Sequence, residues 1–285
     1  MKIPDIRMAA FDMDGTLLAS NLTMTEATKE ACRALQERGC KLVISTGRTY
    51  QYARLPIDDF PFDGYVCSNG ALVYEKDGTL VSSTVLPGDL VVSLIDKLRE
   101  KSLYYEVHDV ASRRWMVWED REKIEKLLDS EEAVEDLKIR KHIFYEVCDV
   151  AKKDELYQML LAGDIKAVKV FCWQSDPTVL EWVREQISLW KDRLDVTSSG
   201  VRNVEIITRG MSKWQGVQYF CNKWGIDAAH VAAFGDSDND KEILARAGVS
   251  VAMDNAPDEV KSIVRFIAGH HDQEGIARFI QDYLL

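Results

Sequence analysis

The stretch Ile6-Arg7-Met8-Ala9-Ala10-Phe11-Asp12-Met13-Asp14-Gly15-Thr16-Leu17 decides how this chain is read. An apolar run, broken only by Arg7, ends in two aspartates two positions apart. Alternation along a strand puts residues 12 and 14 on one side while the chain stays extended, and Gly15 marks a turn. The run is therefore predicted to be a strand with two carboxylates at its carboxyl end, the edge where open α/β sheets bind ligands. Close carboxylates repel unless a cation or a proton intervenes, and oxygen donors of this kind suit Mg²⁺. Asp-x-Asp also occurs in ordinary turns, so the motif alone leaves a structural role open.

Working outward, apolar segments at 8–11, 41–44, 64–67, 204–207 and 231–234 read as buried strands. Residues 25–38 place Ala27, Ala31, Ala34 and Leu35 at helical spacing, with Thr25 as N-cap and Gly39 as C-cap. Strand, helix and strand joined by short links is the rhythm of a parallel sheet. After Gly70 the rhythm changes: 71–74 and 80–83 flank Asp77-Gly78, a hairpin signal. Helices are then predicted over 87–98, 122–128, 154–161 and 177–190, and strands over 104–108, 115–118, 143–147 and 168–173. The first rhythm returns with a helix at 213–224, the strand at 231–234, a helix at 241–247 and a strand at 249–252, then helices at 258–267 and 275–283. The expected architecture is α/β: a Rossmann-like parallel-sheet core from 1–83 and 195–285, with an α+β domain inserted at 84–194.

The chain has 285 residues, enough for one large domain or two ordinary ones. Its 46% hydrophobic and 29% charged content is that of a soluble globular protein. A net charge of −11 argues against nucleic acid as a partner, since phosphate backbones are held in basic grooves. A small phosphorylated substrate needs only a local cation. The six cysteines contain no Cys-x-x-Cys pair and read as reduced core residues of a cytosolic protein. The first five residues lack the apolar stretch of a signal peptide, and no apolar run approaches the roughly 20 residues of a membrane span. The expectation is a cytoplasmic protein with no membrane partner.

A second acidic cluster, Gly235-Asp236-Ser237-Asp238-Asn239-Asp240, again follows an apolar strand. Two acidic turns at one sheet edge make a metal site more reasonable than either alone, because uncompensated carboxylates cost stability. For Asp238 and Asp240, helix capping is an alternative role. Ser45-Thr46-Gly47-Arg48 ends the second strand with a hydroxyl and backbone N–H groups suited to phosphate oxygens, or to a plain cap. Arg48 is placed to bind substrate or to pair with an acidic neighbour. Lys213 opens a helix, where the dipole disfavours a cation, which makes sense if it reaches toward the carboxylates and a phosphate. Ser68-Asn69-Gly70 is open to a turn role or ligand contact. His108, His142, His270 and His271 have no metal-ligand spacing, and the aromatic stretch 115–118 reads as packing.

Together, Asp12-x-Asp14-Gly15-Thr16-Leu17, Ser45-Thr46-Gly47-Arg48, Gly210-x-Ser212-Lys213 and Gly235-Asp236-x-x-Asn239-Asp240 resemble the haloacid dehalogenase-like phosphatases, in order and spacing. The resemblance is to the Cof-type branch, with a large α/β cap between the second and third motifs. It implies a Mg²⁺-dependent phosphomonoester hydrolase acting on small metabolites, sugar phosphates first, with a phosphomutase, a flavin mononucleotide or pyridoxal phosphate phosphatase, or a catalytically weak metabolite-binding protein as alternatives. It also implies that Asp12 is the nucleophile, that Asp14 is the acid and base, and that Thr46 and Lys213 stabilise the phosphoryl group. Asp12, the Asp14 carbonyl and Asp236 would hold the metal, supported by Asn239 and Asp240. Gly47, Arg48, Asn69 and Asn239 would lie near the substrate, and the cap would close over the leaving group and supply selectivity. No dimer is required by this scheme, so a monomer or weak homodimer is expected. Three residues depart from the family's usual pattern: Trp214, Asp254 and His271.

Overall fold

The structure is a computed structural model that describes residues 5–130 and 141–285. The first four residues, part of the segment inspected for a signal peptide, lie outside the described residues. The chain divides into two units, Met1–Ser83 with Met211–Leu285, and Thr84–Gly210.

In chain order, the first unit opens with strands β1 (Met8–Phe11), β2 (Lys41–Ser45) and β3 (Gly64–Cys67), then the hairpin β4 (Leu72–Glu75) and β5 (Leu80–Ser83). The second unit contributes β6 (Tyr104–Asp109), β7 (Arg114–Val117), β8 (Asp149–Ala151), β9 (Ala167–Trp173), β10 (Leu194–Thr197) and β11 (Asn203–Thr208). The first unit resumes with β12 (Val231–Gly235), β13 (Val249–Ala252) and β14 (Phe266–Ile267).

The first unit's sheet runs β14-β13-β12-β1-β2-β3-β4-β5. From β14 to β3 every pairing is parallel, and the hairpin adds two antiparallel pairings at one edge. β1 is central, and all four of its residues are buried. That is why it reads as an unbroken apolar run rather than an alternating one: a parallel sheet is covered on both faces. On one face Val43 and Val66 pack with Val217 and Phe220 of the helix Lys213–Trp224. On the other, Phe11 stacks on Phe234 at 4.8 Å and Phe234 meets Phe279 edge-on at 5.6 Å. Thr25 caps the helix Glu26–Glu37 by accepting from Thr28 N, and that helix buries Ala31, Cys32 and Leu35.

The second unit's sheet runs β10-β11-β9-β6-β7-β8 and is antiparallel except between β7 and β8. Val107, Val170, Cys172, Val204 and Ile206 belong to a core shared with Leu94, Leu156, Leu160 and Val183 of its helices.

Three expectations are corrected. The segment 204–207, expected in the core sheet, lies within β11, which pairs antiparallel with β9 and β10. The units therefore meet in sequence at Gly210 and Met211, not at 194 and 195. The reason is visible in the pattern: Val204 and Ile206 enter an apolar core while Glu205 between them faces the other way, the two-residue period of an antiparallel strand. Residues 143–147, expected to be a strand, form a π-helical turn, and the place beside β7 is taken by β8. The helix expected over 258–267 stops at Lys261, and its β-favouring end, Phe266–Ile267, pairs with β13 instead. Among the described residues no helix is long and apolar enough to cross a membrane.

Candidate functional site

Because β3, β2, β1 and β12 are parallel neighbours, their carboxyl ends share one edge. The polar residues that follow them are brought together for that reason alone. Asp12 follows β1, Asp236 follows β12, Thr46 follows β2 and Ser68 follows β3. Gly15 turns the chain back with φ of +76°, and a Cβ there would lie 2.4 Å from Asp236 Oδ2, so only glycine allows this approach. Thr16 Oγ1 donates to Asp236 Oδ1 at 3.1 Å.

Lys213 is the first residue of its helix, behind the N-cap Ser212, and its side chain is fully buried. Its Nζ lies 2.6 Å from Asp12 Oδ1 and 2.6 Å from Asp240 Oδ1. The cation that the helix dipole disfavours is thus held by two carboxylates. The other oxygen of Asp240 accepts from the backbone N–H of Asp236 and of Ser237, each at 3.1 Å, so Asp240 both caps its turn and anchors Lys213.

Burial opposes the Lys213 charge, but Asp12 and Asp240 outweigh it and hold the ammonium above its ordinary range. Burial pushes Asp236 up to about 7, with Asp240 adding to the effect. Burial likewise pushes Asp12 well upward; Lys213 opposes this, and Asp240 and Asp236 reinforce it. Carboxylate oxygens of Asp12, Asp236 and Asp240 lie within 4.8 Å of one another. Three carboxylates beside one ammonium leave negative charge in excess at this cluster among the described residues, a costly arrangement. An all-oxygen donor set of this kind fits a hard divalent cation of the Mg²⁺ type.

The Asp14 carboxylate is half-exposed and turns to Arg48, whose Nε and Nη2 donate to its two oxygens at 2.7 and 2.5 Å. Of the two roles open to Arg48, the structure shows the acidic pairing. Thr46 is buried, and its Oγ1 accepts from Arg48 N at 3.2 Å across Gly47. Ser68, Asn69 and Gly70 all have positive φ, and a Cβ on Gly70 would meet the Ser212 carbonyl oxygen at 2.0 Å. Asn239 Nδ2 donates to Asn69 Oδ1 at 3.1 Å, joining the Ser68-Asn69-Gly70 segment to the last motif. The buried hydroxyls of Ser45, Thr49 and Ser68 have no hydrogen-bond partner among the described residues. Polar capacity therefore remains around the ends of β2 and β3.

Of the three departures from pattern, Trp214 is buried in the core with Val66 and Val217. Asp254 is exposed, 3.7 Å from Lys261. His271 donates its backbone N–H to Asn255, a residue that the motifs alone gave no role although Asn255 touches Gly15 and Asp236. A side-chain amide between two sheet-edge loops leaves no periodic signal in a sequence.

A second buried polar cluster was also missed, because Glu106, Lys169 and Glu205 each sit alone between apolar or aromatic neighbours in sequence. It lies in the second unit, on the sheet face opposite the apolar core. The cross-strand register pairs Glu106 and Glu205 with Phe171, and His108 with both Lys169 and Arg114. Lys169 Nζ meets Glu205 at 2.8 Å, Arg114 meets Glu106 at 3.3 Å, and His108 Nε2 meets Glu106 at 2.6 Å. Burial holds the His108 imidazole down at about 4, so it is neutral and donates from Nε2, leaving Nδ1 an acceptor. That Nδ1 and the indole Nε1 of Trp173 are buried without a hydrogen-bond partner among the described residues.

Comparison with known proteins places these features. A family model described as haloacid dehalogenase-like hydrolase matches residues 9–280. The chain is 28% identical to the 5-amino-6-(5-phospho-D-ribitylamino)uracil phosphatase YitU of Bacillus subtilis, over 97% of each chain. It is 29% identical to the HMP-PP phosphatase of Serratia proteamaculans, covering 98% of this chain and 95% of that one. A solved haloacid dehalogenase-like hydrolase from B. subtilis superposes with a TM-score of 0.82 at 26% identity, covering 97% of this chain and 99% of that one.

Proposed function

The chain belongs to the haloacid dehalogenase-like hydrolases, and from that premise we propose that it hydrolyses small phosphomonoesters through an aspartyl-phosphate on Asp12. The observation that carries this is the position of Asp12, 2.6 Å from a buried ammonium and within one acidic cluster at the end of a central parallel strand. The protein is a phosphatase of this superfamily, and the acidic cluster suits a divalent cation of the Mg²⁺ type. Asp12, the carbonyl of Asp14 and Asp236 would hold the ion. When bound, it supplies charge neutralisation at the phosphoryl oxygens.

Asp12 attacks phosphorus, forming a new P–O bond as the ester P–O bond breaks. Asp14 gives a proton to the departing alkoxide, then takes one from the water that attacks phosphorus and regenerates Asp12. Lys213 offsets the repulsion between the Asp12 carboxylate and the phosphate dianion, and Thr46 donates to a phosphoryl oxygen. Arg48 and Asn69 with Asn239 flank the substrate, and an incoming phosphate competes with Asp14 for Arg48.

Sugar phosphates and related phosphorylated alcohols are the substrates of first choice. In support, three relatives are named as phosphatases of a phosphoribitylamino-uracil. The second unit is the specificity domain in this scheme, with the polar sheet face that carries His108 and Trp173 as its recognition surface. Trp173→Phe removes the indole N–H together with part of the ring. It should lower kcat/KM for the preferred sugar phosphate by about fivefold, the scale of one lost neutral hydrogen bond, and spare acetyl phosphate. Equal loss on both substrates would remove the face from the scheme.

The decisive experiment is phosphate release across a panel of sugar phosphates, flavin mononucleotide and pyridoxal phosphate, with Mg²⁺ or EDTA. Release should require Mg²⁺, vanish in Asp12→Asn, and fall by roughly 10²- to 10⁴-fold in Asp14→Asn. Full activity in Asp12→Asn would overturn the mechanism.

A further inference from the structure

Four segments far apart in sequence meet at Asn255. Its Nδ2 donates to the Gly15 carbonyl oxygen at 2.8 Å and lies 3.5 Å from Asp236 Oδ2. Its Oδ1 accepts from the backbone N–H of His271 at 3.2 Å. The His271 ring is 2.8 Å from the Leu18 carbonyl oxygen, which makes Nδ1 the protonated nitrogen. The same turn continues to grip the loop that leaves β1. Asp272 accepts from Ser20 N at 2.7 Å and from Ser20 Oγ at 2.6 Å, and Glu274 accepts from Thr25 Oγ1 at 2.7 Å.

The chemistry of position 255 is restrictive. The side chain must donate to a carbonyl and approach a carboxylate on one side, and accept from an N–H on the other. An amide does this without charge. A carboxylate would have no proton to donate and would repel Asp236, and a cation would compete with any ion held by the acidic cluster. The turn at Gly15 needs such restraint, because it brings Gly15 against Asp236 while Asp12, Asp236 and Asp240 crowd together.

We propose that Asn255, steadied by His271, is a positioning residue that sets the spacing between the Gly15 turn and the Asp236 carboxylate, and thereby the affinity of the acidic cluster for its divalent cation. This rests on the proposal that the cluster holds such an ion. Groups that orient metal-ligating carboxylates typically change affinity by about 10- to 100-fold when removed.

The test is Mn²⁺ binding to the full chain, followed by electron paramagnetic resonance, with Asp236→Asn as the control that locates the ion. Asn255→Ala should weaken Mn²⁺ binding by about tenfold. It should raise the Mg²⁺ concentration for half-maximal phosphate release by the same factor, leaving kcat at saturating Mg²⁺ within about threefold. His271→Ala, which keeps the backbone N–H, should have a smaller effect in the same direction. If Asn255→Ala fails to fold, the uncharged Asn255→Leu, close in size and without either hydrogen bond, replaces it, with the same weakening expected. Wild-type affinity in the Asn255 variant would overturn the proposal while leaving the metal site intact. No Mn²⁺ binding by the wild-type protein would overturn the metal site, and this proposal with it.

Discussion

The two units bury polar side chains on opposite principles. In the first, Asp12, Asp236 and Asp240 gather near one ammonium, Lys213, so negative charge is in excess. In the second, Glu106 and Glu205 meet Arg114 and Lys169, and the histidine between them is neutral, so the named charges balance. Topology explains the contrast. Parallel strands end at a common edge, so the acids of successive loops pile up there. Antiparallel strands spread side chains across a face, where each meets a cross-strand partner. The imbalance is what marks the first cluster as a place for a cation and an anionic substrate. The balance marks the second as a face whose charges compensate one another, on which His108 Nδ1 and Trp173 Nε1 have no hydrogen-bond partner among the described residues.

The contrast can be broken most directly at Lys169. Lys169→Met removes the ammonium 2.8 Å from Glu205 and should destabilise the protein by about 3–5 kcal/mol, read by urea unfolding. A cost below about 1 kcal/mol would show that this pair does not balance the cluster. Acidification sharpens the same point. The unfolded chain protonates His108 below its ordinary range near 6.5, whereas the folded chain does so only near 4. Between those values the unfolded state binds more protons, so stability falls as pH falls, by roughly 3 kcal/mol over the window. The loss should be smaller by about that amount in His108→Gln; equal pH profiles by thermal unfolding would deny the buried neutral imidazole.

The smallest expected effect tests the first cluster without any substrate. Mg²⁺ at a hundredfold excess over its dissociation constant should stabilise the folded protein by about 2.7 kcal/mol. Asp236→Asn should abolish that response and, with Mg²⁺ removed by EDTA, unfold at a higher temperature than wild type, because one repelling charge is gone. If Mg²⁺ leaves the wild-type unfolding temperature unchanged, the excess of carboxylates has another cause.

Much of the first unit was legible along the chain. The turn at Gly15, the strands at 41–44 and 64–67 and the hairpin around Asp77-Gly78 rest on local periodicity and turn chemistry, and all form. Asp12, Asp236 and Asp240 were legible as a site because a strand's carboxyl end carries each acidic turn. The strand at 204–207 was legible as a strand but not as a member of the right sheet. Its length and apolarity serve either sheet, and only pairing with β9 and β10 chooses. The segment 258–267 shows the same limit, since apolar residues at its end suit a helix or an edge strand until a partner is present.

Local chemistry along the chain was therefore enough for β1 to β5 and for the aspartate-bearing turns, while the kind of reaction came from the resemblance carried by the four motifs together. Those strands and turns depend on neighbours a few residues away. The folded chain alone chose Asp14 as the partner of Arg48, set Lys213 at 2.6 Å from both Asp12 and Asp240, placed Asn255 against Gly15 and Asp236, and gathered the charged face of the second sheet. Those contacts join residues as far apart as 201 positions for Asp12 with Lys213 and 240 for Gly15 with Asn255. Strand periodicity says which side of its own strand a side chain takes. It carries no information about which distant side chain waits there.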